Sequence, residues 1–101
     1  MRMLMTVEMP HEPFNTLVRK GKAGKLLGKI LAELKPEAAY FTEQDGKRGV
    51  VLVIDVQQPS RVPFYAEPFF LTFNADCRFR IVMSPDDLAK AGLDELGKKW
   101  A

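Results

Sequence analysis

The stretch "AAYFTEQDGKRGVVLVIDV", residues 38–56, decides how the rest of the chain is read. Two β-rich runs flank Asp45-Gly46, a pair that favours the tight turn of an antiparallel hairpin. The second run is apolar on both sides: Val50, Leu52, Ile54 and Val56 point one way, Val51 and Val53 the other. One side must meet helices. The other would face water in a lone copy, forgoing roughly 1.5–3 kcal/mol for each large aliphatic left there. A second sheet of the same kind is the expected cover, which predicts a homodimer through the sheet face. The alternative cover is the chain's own C-terminal helix.

Outward from the hairpin, the elements follow in order. Upstream, "MRMLMTVEMP" alternates Met3, Met5, Val7 and Met9 with Arg2, Leu4, Thr6 and Glu8, giving a first strand that Pro10 ends. Glu12 and Pro13 open a helix expected to run to about Lys35, stopped by Pro36. Downstream, Ser60 can cap a second helix through "RVPFYAEPFF", which Pro63 and Pro68 should break or kink. "CRFRIVM" alternates Phe79, Ile81 and Met83 with Arg78, Arg80 and Val82, a fourth strand. "SPDD" then opens a terminal helix, with Ser84 as cap, Pro85 at the first helical position and Asp87 completing a capping box; Gly92 is its stop.

Strand, helix, strand, strand, helix, strand, helix is the split βαβ order of a ferredoxin-like α+β fold: a four-stranded antiparallel sheet, two helices on one face and an added C-terminal helix. At 101 residues the chain is read as one domain, 1–101. A net charge of +2 and a pI near 8.8 are too mild to name a nucleic-acid or anionic-lipid partner. The single cysteine, Cys77, permits no internal disulfide and fits a reducing compartment, so a cytoplasmic location is expected. No apolar run approaches the roughly 20 residues of a membrane span, and no membrane partner is expected.

"VRKGKAGKLLGKIL", residues 18–31, raises a phosphate cradle as a possibility, but its glycine and lysine spacing does not match G-x-x-x-x-G-K-[ST]. On one continuous helix Gly21, Gly24 and Gly28 fall with Leu17 and Leu31, and Lys22, Lys25 and Lys29 on roughly the opposite face. The glycines are therefore expected to let this helix approach the sheet, by tight packing or around a ligand. RNA binding on the sheet is not expected, because Val50, Leu52 and Asp55 stand where stacking aromatics belong.

Residues 68–92, "PFFLTFNADCRFRIVMSPDDLAKAG", resemble the end of small proteins of the dimeric α+β barrel superfamily, particularly uncharacterised ones akin to muconolactone isomerase. The resemblance implies homodimers whose sheets form a barrel, with small-molecule or haem sites between sheet and helices. Members include isomerases and cofactor-free monooxygenases. The catalytic residues of muconolactone isomerase have no residue-by-residue match here.

Few side chains invite chemistry. His11, the only histidine, stands at a strand-to-helix junction and is the candidate general base; Tyr65 is the second catalytic candidate. Tyr40, Arg61, Phe64 and Phe69 are candidate ligand contacts, an aromatic wall with polar tips suited to a small organic molecule. One histidine and one cysteine leave no zinc set, and no metal site or cofactor is assigned, although His11 as a haem ligand stays formally open. Cys77 is read as an inert core thiol. Asp55, ending an aliphatic strand, needs a partner, and Arg78 or Arg80 is expected to supply it. Two functional readings follow: a small-molecule-binding protein or cofactor-free enzyme using a helix–sheet pocket, or a noncatalytic homodimeric module for macromolecular interaction. The first requires a cavity bearing those polar tips, the second a filled interior and an exposed apolar patch.

Overall fold

A computed structural model describes residues Met1–Ala101. The strands are β1 (Arg2–Met9), β2 (Ala38–Gln44), β3 (Lys47–Asp55) and β4 (Asp76–Ile81), and the helices α1 (His11–Arg19), α2 (Ala23–Leu34), α3 (Val62–Phe73), α4 (Pro85–Ala89) and α5 (Leu93–Lys99). The four strands form one open antiparallel sheet in the order β2-β3-β1-β4. The fold is thus mixed α+β.

The hairpin sets the register. Asp45 and Gly46 both take positive φ, 51° and 78°, the paired left-handed conformation of a two-residue type I′ turn, and Gln44 pairs with Lys47 across it. From there Val7 lies opposite Val50 and Met5 opposite Leu52, while Met5 also faces Phe79 on β4. Side chains of odd-numbered β1 and even-numbered β3 residues therefore share one face. Met5, Val7, Met9, Val50, Leu52 and Ile54 are no more than 1% exposed, packed with Phe14 of α1, Ile30 and Leu34 of α2, and Phe69 and Phe73 of α3. The Phe14 and Phe73 rings stand 5.1 Å apart, and the Arg48 guanidinium lies 4.5 Å above Phe14.

The segment expected as one helix to Lys35 is two. Lys20 ends α1, Gly21 adopts φ 70°, the Lys22 N–H bonds to the Leu17 carbonyl at 2.8 Å and the Gly21 N–H to that of Val18 at 2.9 Å. These are the two bonds of a Schellman motif, which only a residue tolerating positive φ closes cheaply. Breaking there resets the helix phase. Leu26, Leu27, Ile30, Leu31 and Leu34 turn to the sheet because they have area to bury, and the glycines do not. Gly24 and Gly28 are exposed, with no atom within 4 Å of where a Cβ would stand. The expectation that the glycines line the helix–sheet contact is corrected accordingly: they share the solvent side with Lys25 and Lys29.

Pro68 does not break α3, which runs unbroken over twelve residues to Asn74 at φ 55°. Ser60 lies in a single 3₁₀ turn, Pro59–Arg61, ahead of α3, with no side-chain cap. The capping box at Ser84 is present: its hydroxyl accepts from the Asp87 N–H at 3.1 Å, and the Asp87 carboxylate accepts from the Ser84 N–H at 3.0 Å. Gly92, at φ 73°, separates α4 from α5 rather than ending the chain's helical part. No residue from Pro85 to Ala101 is buried. These helices do not fold back over the sheet. No helix of the structure is long and apolar enough to cross a membrane.

Candidate functional site

The helix-covered side of the sheet is filled. Fifteen buried residues form a continuous core there, and every buried side-chain nitrogen and oxygen has a hydrogen-bond partner. The six candidate residues do not converge on a cavity in it. Phe69 is fully buried core on α3. Tyr65 is buried as well, its hydroxyl donating to the Asp55 backbone carbonyl at 3.2 Å, its ring edge-on to Phe64 at 5.1 Å. Arg61 stacks its guanidinium over Phe64 at 3.9 Å. These three, at the start of α3, do form one cluster. His11 stands at the opposite end of β1, exposed, on a broad depression with Phe41, Thr42, Glu43, Gly46, Lys47 and Arg48. Because Tyr65 bonds at the β3 end registered with Arg2, and His11 follows Met9, the two are separated by roughly 25 Å, the length of an eight-residue strand. Tyr40 lies on the other face of the sheet, 67% exposed.

The cleft with the most apolar lining opens beside the Tyr65 end. Met1, Met3, Val56, Pro59, Val62 and Ile81, together with Gln57 and Gln58, line a volume of about 270 Å³. Its origin is local: β1 and β4 begin and end here in register, Met3 opposite Ile81, while the 3₁₀ turn carries the chain over the end of the sheet to Val62. The volume sits just under the usual range for small-molecule sites, about 300–1,000 Å³, and its apolar wall with few polar groups matches their chemistry. Gln57 donates its amide to Asp55 Oδ2 at 2.7 Å, so its carbonyl oxygen stays available as an acceptor. Periodicity in the sequence could not find this cleft, since its residues come from three separate stretches of chain, 1–3, 56–62 and 81.

Asp55 finds its partner close by, though not in an arginine. Its carboxylate binds the chain's amino terminus at 2.9 Å, and the hydrogen bond from that ammonium, ahead of its charge and the Gln57 amide, holds the carboxyl below its ordinary range. Arg2 instead pairs with Glu37 at 2.9 Å. Burial pushes the Cys77 thiol up to about 12, with Asp76 and Glu67 adding to it, so at neutral pH it is a protonated, poor nucleophile.

The uncovered face of the sheet carries Leu4, Thr6, Val51, Val53 and Ala38, all half-buried by their neighbours alone, with Tyr40 toward β2 and Arg78 and Arg80 along β4. Glu8 on this face is 9% exposed, held by Lys47 Nζ at 3.4 Å and Arg78 Nη1 at 3.7 Å. The alternation of β1 puts Glu8 there, yet nothing in the sequence announces that two cations from different strands enclose it. No group of three His, Cys, Asp or Glu side chains is placed to hold a metal ion.

No protein-family model matches the chain, and no curated protein matches it.

Proposed function

We propose that the protein is a homodimer of the dimeric α+β barrel type, with a ferredoxin-like subunit, that binds a small apolar organic molecule. The observation carrying the ligand reading is the cleft of Met1, Met3, Val56, Val62 and Ile81, about 270 Å³, with Gln57 and Gln58 as the polar residues of its lining. A ligand there would bury a ring or short aliphatic body against methionine and valine and set its one polar group on an amide. The cleft lining has no titratable side chain, the Met1 ammonium is engaged by the Asp55 carboxylate at 2.9 Å and the Val56 carbonyl at 3.0 Å, and His11 lies at the far end of β1, which supports binding over acid–base turnover. Dimerisation is supported by the aliphatic strip Leu4, Val51 and Val53 on an uncovered sheet face, since two such faces packed together would remove it from water.

A thermal-shift screen against lactones, quinones, aromatic acids and haem tests the ligand reading, with Val62→Trp filling the cleft as control. A ligand at about 100 times its Kd stabilises by about 2.7 kcal/mol, a rise of several degrees in Tm. If nothing stabilises the wild type, or Val62→Trp keeps the full shift, the ligand reading falls. The noncatalytic module reading is favoured by one observation, the filled helix–sheet interior, and it gains if the screen is empty while the dimer forms.

A further inference from the structure

The C-terminal segment is built like half of an interface. Helices α4 and α5 have five and seven residues, well short of the ~12–15 at which an isolated helix holds in water. Yet Leu88, Leu93, Leu96 and Trp100 are 44%, 56%, 45% and 77% exposed. Leu93, Leu96 and Trp100 recur at the i, i+3, i+7 spacing of a single helical ridge. No residue of the ridge is buried, and Lys99 Nζ, 5.5 Å over the Trp100 ring, comes from the same segment.

The shape of the molecule gives the size of what is missing. Its extents are 60 × 28 × 20 Å and its radius of gyration 17.2 Å, where a compact domain of about 100 residues has about 13 Å. Its accessible surface, 7126 Å², exceeds by about 1,300 Å² what a folded monomer of this mass exposes. That excess is larger than the roughly 800 Å² each partner contributes to a standard protein interface. The direction in which the segment leaves is fixed: the Val82 N–H still bonds to the Arg2 carbonyl at 3.3 Å, and the capping box begins at Ser84.

We propose that residues 85–100 are an arm exchanged between two copies of this chain, its leucine–tryptophan ridge lying on the second copy's uncovered sheet face along the β4 margin. The same chain carries the complementary surface. Along that margin Leu4 of β1 and the aliphatic stems of Arg78 and Arg80 on β4 offer apolar area, Arg80 with no carboxylate within 4.0 Å, while Val51 and Val53 on β3 are left to the sheet-to-sheet contact. Over residues 85–100 the arm brings Asp86, Asp87, Asp94 and Glu95 against Lys90, Lys98 and Lys99, with Glu95 already paired to Lys98 at 3.3 Å, so its acidic surplus lies in the first turn of α4, at Asp86 and Asp87, and that turn meets the arginines when the ridge meets the sheet. A two-fold exchange gives each arm a sheet and each sheet an arm in one closed assembly. The arm assignment rests on the homodimer reading and goes beyond it by naming a segment that crosses over.

Trp100 is the only tryptophan, which makes the arm directly visible. The full chain is followed by sedimentation and by tryptophan emission and acrylamide quenching over the same dilution series. In parallel, a mixture of ¹⁴N- and ¹⁵N-labelled protein is treated with an amine cross-linker. The expected results are shielded, blue-shifted emission in the dimer that is lost on dilution, and isotopically mixed cross-links from Lys98 or Lys99 to lysines of residues 1–80. Leu96→Asp, on a helix with no buried residue, should weaken the dimer by about a hundredfold or more and return the emission to that of a wetted indole. A dimer whose Trp100 is as quenchable as in the monomer overturns the arm while leaving sheet pairing intact. Cross-links confined to one isotope, or shielding that appears only with another macromolecule, overturn it as well. A chain that stays single at every concentration removes both the arm and the dimer.

Discussion

Val53→Asp is the sharpest perturbation of the uncovered face. Val53 sits on β3 between Leu4 of β1 and Ala38 of β2, half-buried with no helix above it. Burying a valine is worth about 1.5–3 kcal/mol, and the lower end applies because its neighbours already cover part of it. A two-fold dimer contains the residue twice, so about 3 kcal/mol is lost from association before the carboxylate is desolvated. That corresponds to a dimer dissociation constant raised about a hundredfold, at about 1.4 kcal/mol per factor of ten. Desolvating two like charges makes the loss larger. Sedimentation equilibrium of wild type and variant reads the change directly. The monomer should remain folded, since replacing a β-former on an exposed strand face costs about 1 kcal/mol, to be checked by its own thermal melt. A dissociation constant within threefold of the wild type, with the variant folded, would refute face-to-face packing of the sheets.

Gly28→Ala, in the interior of α2 with open space where its Cβ would stand, should stabilise by about 0.5–1 kcal/mol and raise Tm by a few degrees, the opposite of what close helix–sheet packing would give. Phe69→Ala, removing a fully buried ring, should cost about 3–5 kcal/mol in a denaturant titration, a large share of the stability of a domain this size. Cys77 should react with a thiol reagent at neutral pH far more slowly than the same cysteine in the denatured chain, because its thiol is pushed up to about 12. The Asp87 carboxyl is held below its ordinary range by the Ser84 N–H and then the Ser84 hydroxyl. A carboxyl lowered in the folded state stabilises above its unfolded pKa and ceases to as pH falls through the folded value, so α4 should fray only below the usual carboxylate range. Amide exchange at Asp87 and Leu88 measures that onset.

The strands and their facing were legible because a period of two with Asp45-Gly46 between two runs admits one register: a slip of a single residue would turn Val50, Leu52 and Ile54 outward. The Ser84–Asp87 box was legible for the same local reason, four consecutive residues whose bonds close among themselves. The α1–α2 boundary was not, although Gly21 directly after Arg19-Lys20 is the signal that could have found it. Misplacing that boundary carried the glycines to the wrong side of the helix. The grouping of His11, Tyr40 and Tyr65 asked more of the sequence than periodicity holds, since it required knowing which end of β1 each would reach.

Alternation along residues 2–9, 50–56 and 77–81, together with local turns and caps, determined by itself the strands, the β2–β3 hairpin and the double-sided apolar character of β3. These are interactions between neighbours in the chain, and a side-chain pattern is enough to encode them. Only the tertiary structure decided that α1, α2 and α3 cover β1 and β3 on one face while Phe41 of β2 stays exposed there, that the apolar cleft forms where three stretches of chain meet at the Met1 end, and that α4 and α5 leave the other face uncovered. Those outcomes depend on how volumes pack and where chain ends lie in space, quantities fixed by contacts between distant residues and carried by no single stretch of sequence.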